Sequence, residues 1–477
     1  MAGSIDGSLY WQGLKAAGHP IVQETPKLDL DTYIANYEGR TRLERLEHIA
    51  STSTVLAHDA LKAGVVEAKN GKDVDAYVHF AEMLQKLTLN DPLGKLDQTW
   101  VDTMGKKVRM ETERLEQELK TYKNNLIRES IRMGNNDLGN HYYAIGEFPS
   151  SYRAYVRMRD YCTTPQHVAE MNLRLLLVTV AQRNWMSLHS HDMKIRNANV
   201  RSDELSKIIP ILHACGGLAL LENGSYAEAA KEFLNVPFDF VNNEAQGGII
   251  FQKEVITGND VAIYGGLCAL ASMDRETLRR RALENTGFRQ FLELEPQIRR
   301  AITMFCRSKY SDCLSILQSY MADYALDIHL HRHIGEIYHL VRSKSMVEYF
   351  IPFSVVTLDD MQKAFPSSEG IPIEDELVQM IQHGELNARI DLVDRLLTVP
   401  TENPRASAQV EALESAADYE RQLRLRMTRM ALTQAGLDLK VKGPNANSNS
   451  NGAFDGGEGN EKSSRKGIKS SFGGFLG

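Results

Sequence analysis

Beyond about residue 33 the apolar residues of this 477-residue chain recur at spacings of three and four, and keep that rhythm for roughly 300 residues. A period near 3.6 marks amphipathic helices, and Gly and Pro stand between the periodic runs as turns rather than inside alternating strands. The first 40 residues carry Gly, Pro and mixed polar residues without a sustained period, and are expected to form an extended or weakly ordered arm. The clearest helix spans Val101 to Leu126, where Val101, Met104, Val108, Leu115, Leu119, Tyr122 and Leu126 form a stripe. Charged residues fill its other faces, and Glu116 precedes Lys120 by four, the favourable order for a helical ion pair. This is a long connecting helix near 100–127, packed on its own domain or docked on a partner.

A weak internal repeat follows. In 138–158, LGNHYYAIGEFPSSYRAYVRM, Leu138, Gly139 and Tyr142 occupy a first helix, Phe148 follows the turn, and Ser151 and Tyr155 lie on a second. Small residues let two antiparallel helices approach and aromatics fill the gap, as in a tetratricopeptide-like hairpin. The arrangement recurs with Gly217, Leu220, Tyr226, Ala229 and Phe233, and again with Ala301, Met304, Tyr310, Cys313 and Leu317. Trp185 fits a degenerate unit, so the post-turn aromatics fall at 148, 185, 226 and 310, in steps of 37, 41 and 84. The last step has room for two units. One hairpin cannot bury its own apolar face, so residues 41–340 are expected to stack as a helical-repeat solenoid.

Near residue 345 the grammar changes. Thr357-Leu358-Asp359-Asp360 has the form of a capping box with Asp in place of Glu. Leu358, Met361 and Phe365 then share a face of one short helix, and Leu377 and Ile381 a face of a second that opens at Pro372 and closes at Gly384. Leu386 to Val399 reads as a two-stranded ribbon around Ile390 and Leu392. Two short helices and a ribbon make a winged helix over 341–400, with those five apolar side chains as its core. Residues 407–439 are again helical. Leu413, Ala416, Leu423, Met427, Met430 and Leu437 form a heptad-like seam, with Glu420 and Gln434 as polar intrusions. The stretch 443–477 is dense in Gly, Asn and Ser and is expected to be disordered.

Composition narrows the function. With 55 Lys and Arg against 62 Asp and Glu, the net charge of −7 disfavours nucleic acid as a partner. The winged helix points the same way, because its second helix opens on Glu374, Asp375 and Glu376 and has no Lys or Arg. Five scattered cysteines without a C-x-x-C pair suggest reduced thiols in an intracellular protein. The start of the chain has no secretory pattern. The most apolar stretch, Leu173 to Ala181, is broken by Arg174 and too short to span a membrane.

Phosphate-loop and nucleophile-elbow motifs are absent from the sequence. A zinc isopeptidase motif needs H-x-H, then Ser and Asp. Counting from His331 reaches His339 and Arg342, and counting from His191 reaches Asn199 and Ser202, so both fail. If His329, His331 and His333 lie on a helix, they point to different faces and cannot converge on a metal. No catalytic, cofactor or metal-binding residue is assigned.

A helical-repeat solenoid running into a winged helix and a terminal helix resembles the PCI-domain proteins. These build the scaffolds of the COP9 signalosome, the proteasome lid and an initiation-factor complex. DLGNHYYAIGEFPSSYRAYVRMRDYCTT at 137–164, with Asn184-Trp185, resembles the branch shared by lid and signalosome. CALASMDRETL (268–278), FLELEPQIR (291–299) and SKYSDCL (308–314) resemble the signalosome subunit 1 family, as do EDELVQMI (374–381) and NARID (387–391). The related lid subunit is the alternative, and the FLELEP block speaks against it. The resemblance implies a non-catalytic subunit in the nucleus and cytoplasm, without cofactor or membrane contact. Its expected neighbours are subunits 2 and 3, and it meets cullin-RING ligases indirectly, where another subunit removes Nedd8 from cullins. Ile390 and Leu392 are the candidate strand edge, and Leu413, Leu423, Met427 and Met430 the candidate bundle seam.

Overall fold

The computed structural model describes residues 8–437, apart from 17, 19, 89–90, 199, 243–250, 367–371 and 401–403. The chain divides into two units, Met1–Pro400 and Thr401–Gly477. The tail at 443–477 lies outside the described residues, as does Gly370 of the turn before the second winged-helix helix.

Within the expected N-terminal arm, the described residues from Ser8 onward include helices that pack against the first hairpins, while residues 1–7 lie outside the described residues. Helices Ser8–Ala16, Leu30–Ala35 and Gly39–Thr52 precede a hairpin of Ala57–Asn70 and Val74–Leu87. Tyr10, Leu30, Ile34 and Tyr37 are buried, and the Tyr10 hydroxyl donates to the Ala50 carbonyl at 3.3 Å. Asp29 caps the second helix by accepting the Thr32 N–H. Two turns of helix are too short to set up a legible period, yet they bury enough apolar surface to dock once a neighbour exists.

Each hairpin is pinned where a small residue meets a large one. An added Cβ at Gly64 would stand 2.5 Å from the Phe80 ring, and one at Gly217 would stand 2.8 Å from Phe233; at Gly139 it would run into Tyr155. In all three the aromatic follows the glycine by sixteen residues, as Leu317 follows Ala301 in the hairpin of Pro296–Cys306 and Tyr310–Ser319. Ser151 adds a hydroxyl bond to the Gly139 carbonyl at 2.8 Å. The turns share a device as well. Gly146, Arg183, Gly224 and Ser308 have left-handed backbones (φ 95°, 54°, 76° and 59°), and each stands two residues before the aromatics at 148, 185, 226 and 310. At the two non-glycine positions the conformation costs roughly 1–2 kcal/mol, which hairpin packing must outweigh.

The long helix runs Gln98–Asn124, and its C-terminal half buries Leu115 and Leu119 against Ile131, Leu138 and Ala154. Glu116 accepts the Tyr142 hydroxyl at 3.1 Å rather than closing the expected pair with Lys120. Among the described residues one helix is long and apolar enough to cross a membrane by length and composition, over the window Glu204–Glu222, with a mean hydropathy of 1.4. Ile211, Leu212, Cys215, Leu218 and Leu221 of this window are buried in the main core. That core is continuous from Ala169 to Leu397, so solenoid and winged helix share it. Helix Ile334–Phe350 crosses the boundary expected at 340 and 341, and supplies Ile334, Ile337, Val341, Met346 and Phe350 to the shared core.

A buried charge cluster ties the N-terminal helices to the solenoid. Arg45, fully buried, places one guanidinium nitrogen 2.7 Å from Asp327 and the other 3.1 Å from Asp260. Its guanidinium lies 4.0 Å from the centre of the Tyr37 ring. Tyr37 donates to Asp260 at 2.6 Å and Tyr264 to Asp327 at 2.8 Å. Burial alone would raise the Asp327 carboxyl, but Arg45, His329 and the His329 N–H hold it below the usual range. A depressed carboxyl contributes stability in full above the ordinary carboxylate pKa, and loses it only as pH falls through the lower value.

Two outcomes follow from these contacts. Gly217→Val should lower the unfolding free energy by about 1–3 kcal/mol, because the Phe233 ring must move; a double-mutant cycle with Phe233→Leu should recover part of it. Arg45→Met should cost about 3–5 kcal/mol by stranding two buried carboxylates, visible as earlier proteolysis within residues 20–56 and a lower melting temperature.

Candidate assembly surfaces

The wing contains three strands rather than two. β1 (Val355–Thr357), β2 (Arg389–Asp391) and β3 (Leu396–Thr398) form an antiparallel sheet in the order β1-β3-β2. Thr357 ends β1 and caps the following helix by accepting the Asp360 N–H at 3.1 Å, which is half of the expected capping box. Pro372 is the cap of helix Ile373–Gln382, one place before the expected first turn. Leu358, Met361, Phe365 and Leu377 are buried as expected of core residues, and Ile381 packs half-buried beside them.

The register shows where the sheet is open. The Val399 N–H bonds the Ser354 carbonyl and the Leu358 N–H bonds the Arg395 carbonyl, so residues 395, 397 and 399 face β1. Antiparallel hydrogen bonding alternates, so Leu396 and Thr398 face β2, where they pair with Asp391 and Arg389. Ile390, opposite Leu397, therefore turns its N–H and C=O outward along an edge that pairs with no further strand among the described residues. Its side chain packs inward against the main core. Such an edge is a template for an added strand.

Leu392 does not belong to the ribbon. It lies in the turn 392–395 beside Val393, which is 90% exposed. Asp391 holds the turn by accepting the Val393 and Asp394 N–H groups, and Arg395 clamps it to the adjacent helix through Glu374 at 2.7 Å. Val393 and Arg395 escaped the sequence reading. The signal was an apolar pair followed by Asp-Arg, midway along the run that reads as a two-stranded ribbon.

The acidic helix start is less repulsive than its sequence implies. Glu374 pairs with Arg395, and the half-buried Glu376 pairs with Arg342 at 2.8 Å. The histidine run lies in a turn preceding helix Ile334–Phe350, not on a helix. His329 meets Glu222 at 2.8 Å, His331 packs on the His48 ring, and His333 meets the Tyr226 hydroxyl. The three rings thus go to three different partners. The five cysteines are unpaired, and burial pushes the Cys268 thiol up to about 12.

The second unit contains helix Pro404–Gln434, 31 residues long. It begins a few residues before the expected Ser407, and Leu437 falls just past its end. At 3.6 residues per turn Leu413, Leu423, Met427 and Met430 fall within about 100° of one another, and Tyr419 lies beside them. Leu413 is 71% exposed and Met430 72%. Leu425 and Leu432 are also exposed and lie on the opposite side, a second apolar line that the seam reading missed.

Known proteins place this layout. The family model described as 26S proteasome subunit RPN7 matches residues 97–281, and the PCI domain model matches 317–401. A COP9 signalosome complex subunit 1 from Emericella nidulans is 46% identical over 88% of this chain and 85% of its own length. The chain belongs to the COP9 signalosome subunit 1 family. Its similarity extends to the Arabidopsis thaliana subunit 1, 35% identical over 87% of this chain and 91% of that protein. The Drosophila melanogaster subunit 1b is 32% identical over 88% of each. The PCI match spans the shared-core helix, all three strands and the edge at Ile390.

The edge has a direct readout. In hydrogen exchange of the isolated chain, the Arg389 and Asp391 amides should be protected and the Ile390 amide should exchange freely. Slow exchange at Ile390 would mean that another segment already covers the strand.

Proposed function

We propose that this chain is a non-catalytic scaffold subunit of a COP9 signalosome. In that role it supports the removal of Nedd8 from cullins of cullin-RING ubiquitin ligases, a reaction carried out on another subunit. Its neighbours in this reading are subunits 2 and 3, and it works in the nucleus and cytoplasm. The observation that carries the proposal is the 31-residue terminal helix with apolar side chains exposed on two opposite sides. A lone helix of this composition is marginal in water, and each Leu or Met gains about 1.5–3 kcal/mol on full burial. Two apolar lines suit a helix surrounded by several others, as in a bundle of sister C-termini. The edge at Ile390 offers a second, backbone-mediated attachment to a neighbouring winged helix.

Tagged chains co-purified with the complex test both attachments. Replacing Leu413, Leu423, Met427 and Met430 by Asp should release the chain from its sister subunits. The melting of the 1–400 unit should be unchanged. Ile390→Pro removes one outward N–H and should weaken recovery of one neighbour, while Ile390→Ala, which keeps the N–H, should not. Full recovery of the complex with the fourfold variant would reject the bundle role of the helix.

A further inference from the structure

Beside the Arg45 cluster lies a cavity of about 270 Å³. Its walls come from the N-terminal stretch 27–37, helix Gly258–Ser272, the start of helix Pro296–Cys306 and the segment 320–330. The size is at the small end of ligand pockets, enough for one side chain or a small organic cation.

The lining is acidic and aromatic. Asp260, Glu295, Asp323 and Asp327 all face the space. Arg45 offsets Asp260 and Asp327. Asp323 accepts the Lys27 backbone N–H at 2.8 Å. Glu295 has only neutral donors, the side-chain amides of Asn259 and Gln297, and no ion pair among the described residues. Burial, reinforced by Asp260 and opposed by those two amides, pushes the Glu295 carboxyl up to about 6. A half-buried carboxylate without a cation is electrostatically incomplete.

Two tyrosines add observations independent of the carboxylates. Tyr324 is buried and lines the cavity, yet its hydroxyl has no hydrogen-bond partner among the described residues. The oxygen itself is reached by solvent rather than sealed in the core, so it is available to whatever enters the cavity. Its ring stacks on Tyr320 with centroids 6.3 Å apart. The exposed Lys27 already rests its ammonium 4.3 Å from the centre of the Tyr320 ring. That contact places a cation over this aromatic wall.

We propose that the cavity binds an ammonium or guanidinium head, from a lysine or arginine side chain of a polypeptide or from a free polyamine. Glu295 and the Tyr324 hydroxyl accept its N–H groups and Tyr320 offers its ring face. An ammonium has three donors and no acceptor, which matches the carboxylate and hydroxyl oxygens on this wall. Lys27 is a tethered competitor at the rim.

Isothermal titration of the full-length chain, at a pH where Glu295 is ionised, tests the site. The probes are N-acetyl-lysine methylamide, N-acetyl-arginine methylamide and spermidine, with N-acetyl-norleucine methylamide as the uncharged control. The cations should bind saturably and the norleucine probe should not. Glu295→Gln should weaken binding about tenfold, the scale of one charge-assisted hydrogen bond. Tyr324→Phe should weaken it several-fold while keeping the ring in place, and carries the test if Glu295→Gln melts early. Lys27→Met should strengthen binding. Tighter binding of a capped amino acid supports a polypeptide source, and tighter spermidine binding a free cation. No saturable binding, equal binding of norleucine, or indifference to both Glu295→Gln and Tyr324→Phe would overturn the proposal.

Discussion

Two helices joined by a short turn expose more apolar surface than they can hide, and this shortage governs most of the molecule. The hairpins answer it by close approach. A glycine at 64, 139 or 217 lets an aromatic sixteen residues on seat against the facing backbone, which leaves the outer faces free to meet the next hairpin. The result is a core that does not stop at the end of the repeats. It runs from Ala169 to Leu397, and the winged helix is the last layer of the stack as much as a module of its own. A sheet seated on so extended a core holds its outer strand in place, and a firmly held strand edge is one that another chain can pair with.

Charge does at the N-terminal end what apolar packing does elsewhere. Arg45 is taken out of water only because Asp260, Asp327 and the ring of Tyr37 surround it. Those carboxylates come from segments more than 200 residues away, so the cluster forms only after the solenoid has closed. Breaking such a set is costly even where forming it gains little, which makes it a device for fixing position. The acidic cavity is a consequence of that geometry. Carboxylates gathered to meet one guanidinium stand beside Glu295, which has no ion pair among the described residues.

Much of this was legible from spacing. The hairpins at 138–158 and 217–233, the core positions of the winged helix and the apolar seam of the terminal helix rest on contacts between near neighbours in sequence. Such contacts leave a period behind. The first hairpin was missed because Asp73, a cap, stands where the other units have an aromatic after the turn. The strand Val355–Thr357 was missed because three residues have no period. The histidine run was misplaced because turn and helix look alike when every second residue is polar.

Local order along the chain therefore determined the class of fold, the order of the modules and the family. Side chains three, four or sixteen residues apart meet whatever the rest of the chain does. Tertiary structure decided the docking of residues 8–37, the partners of Arg45, the outward turn of the Ile390 backbone and the unanswered charge of Glu295. Each of these joins groups far apart in sequence, or depends on which of two hydrogen-bonding faces a strand presents. Periodicity carries no trace of either until the chain has closed on itself.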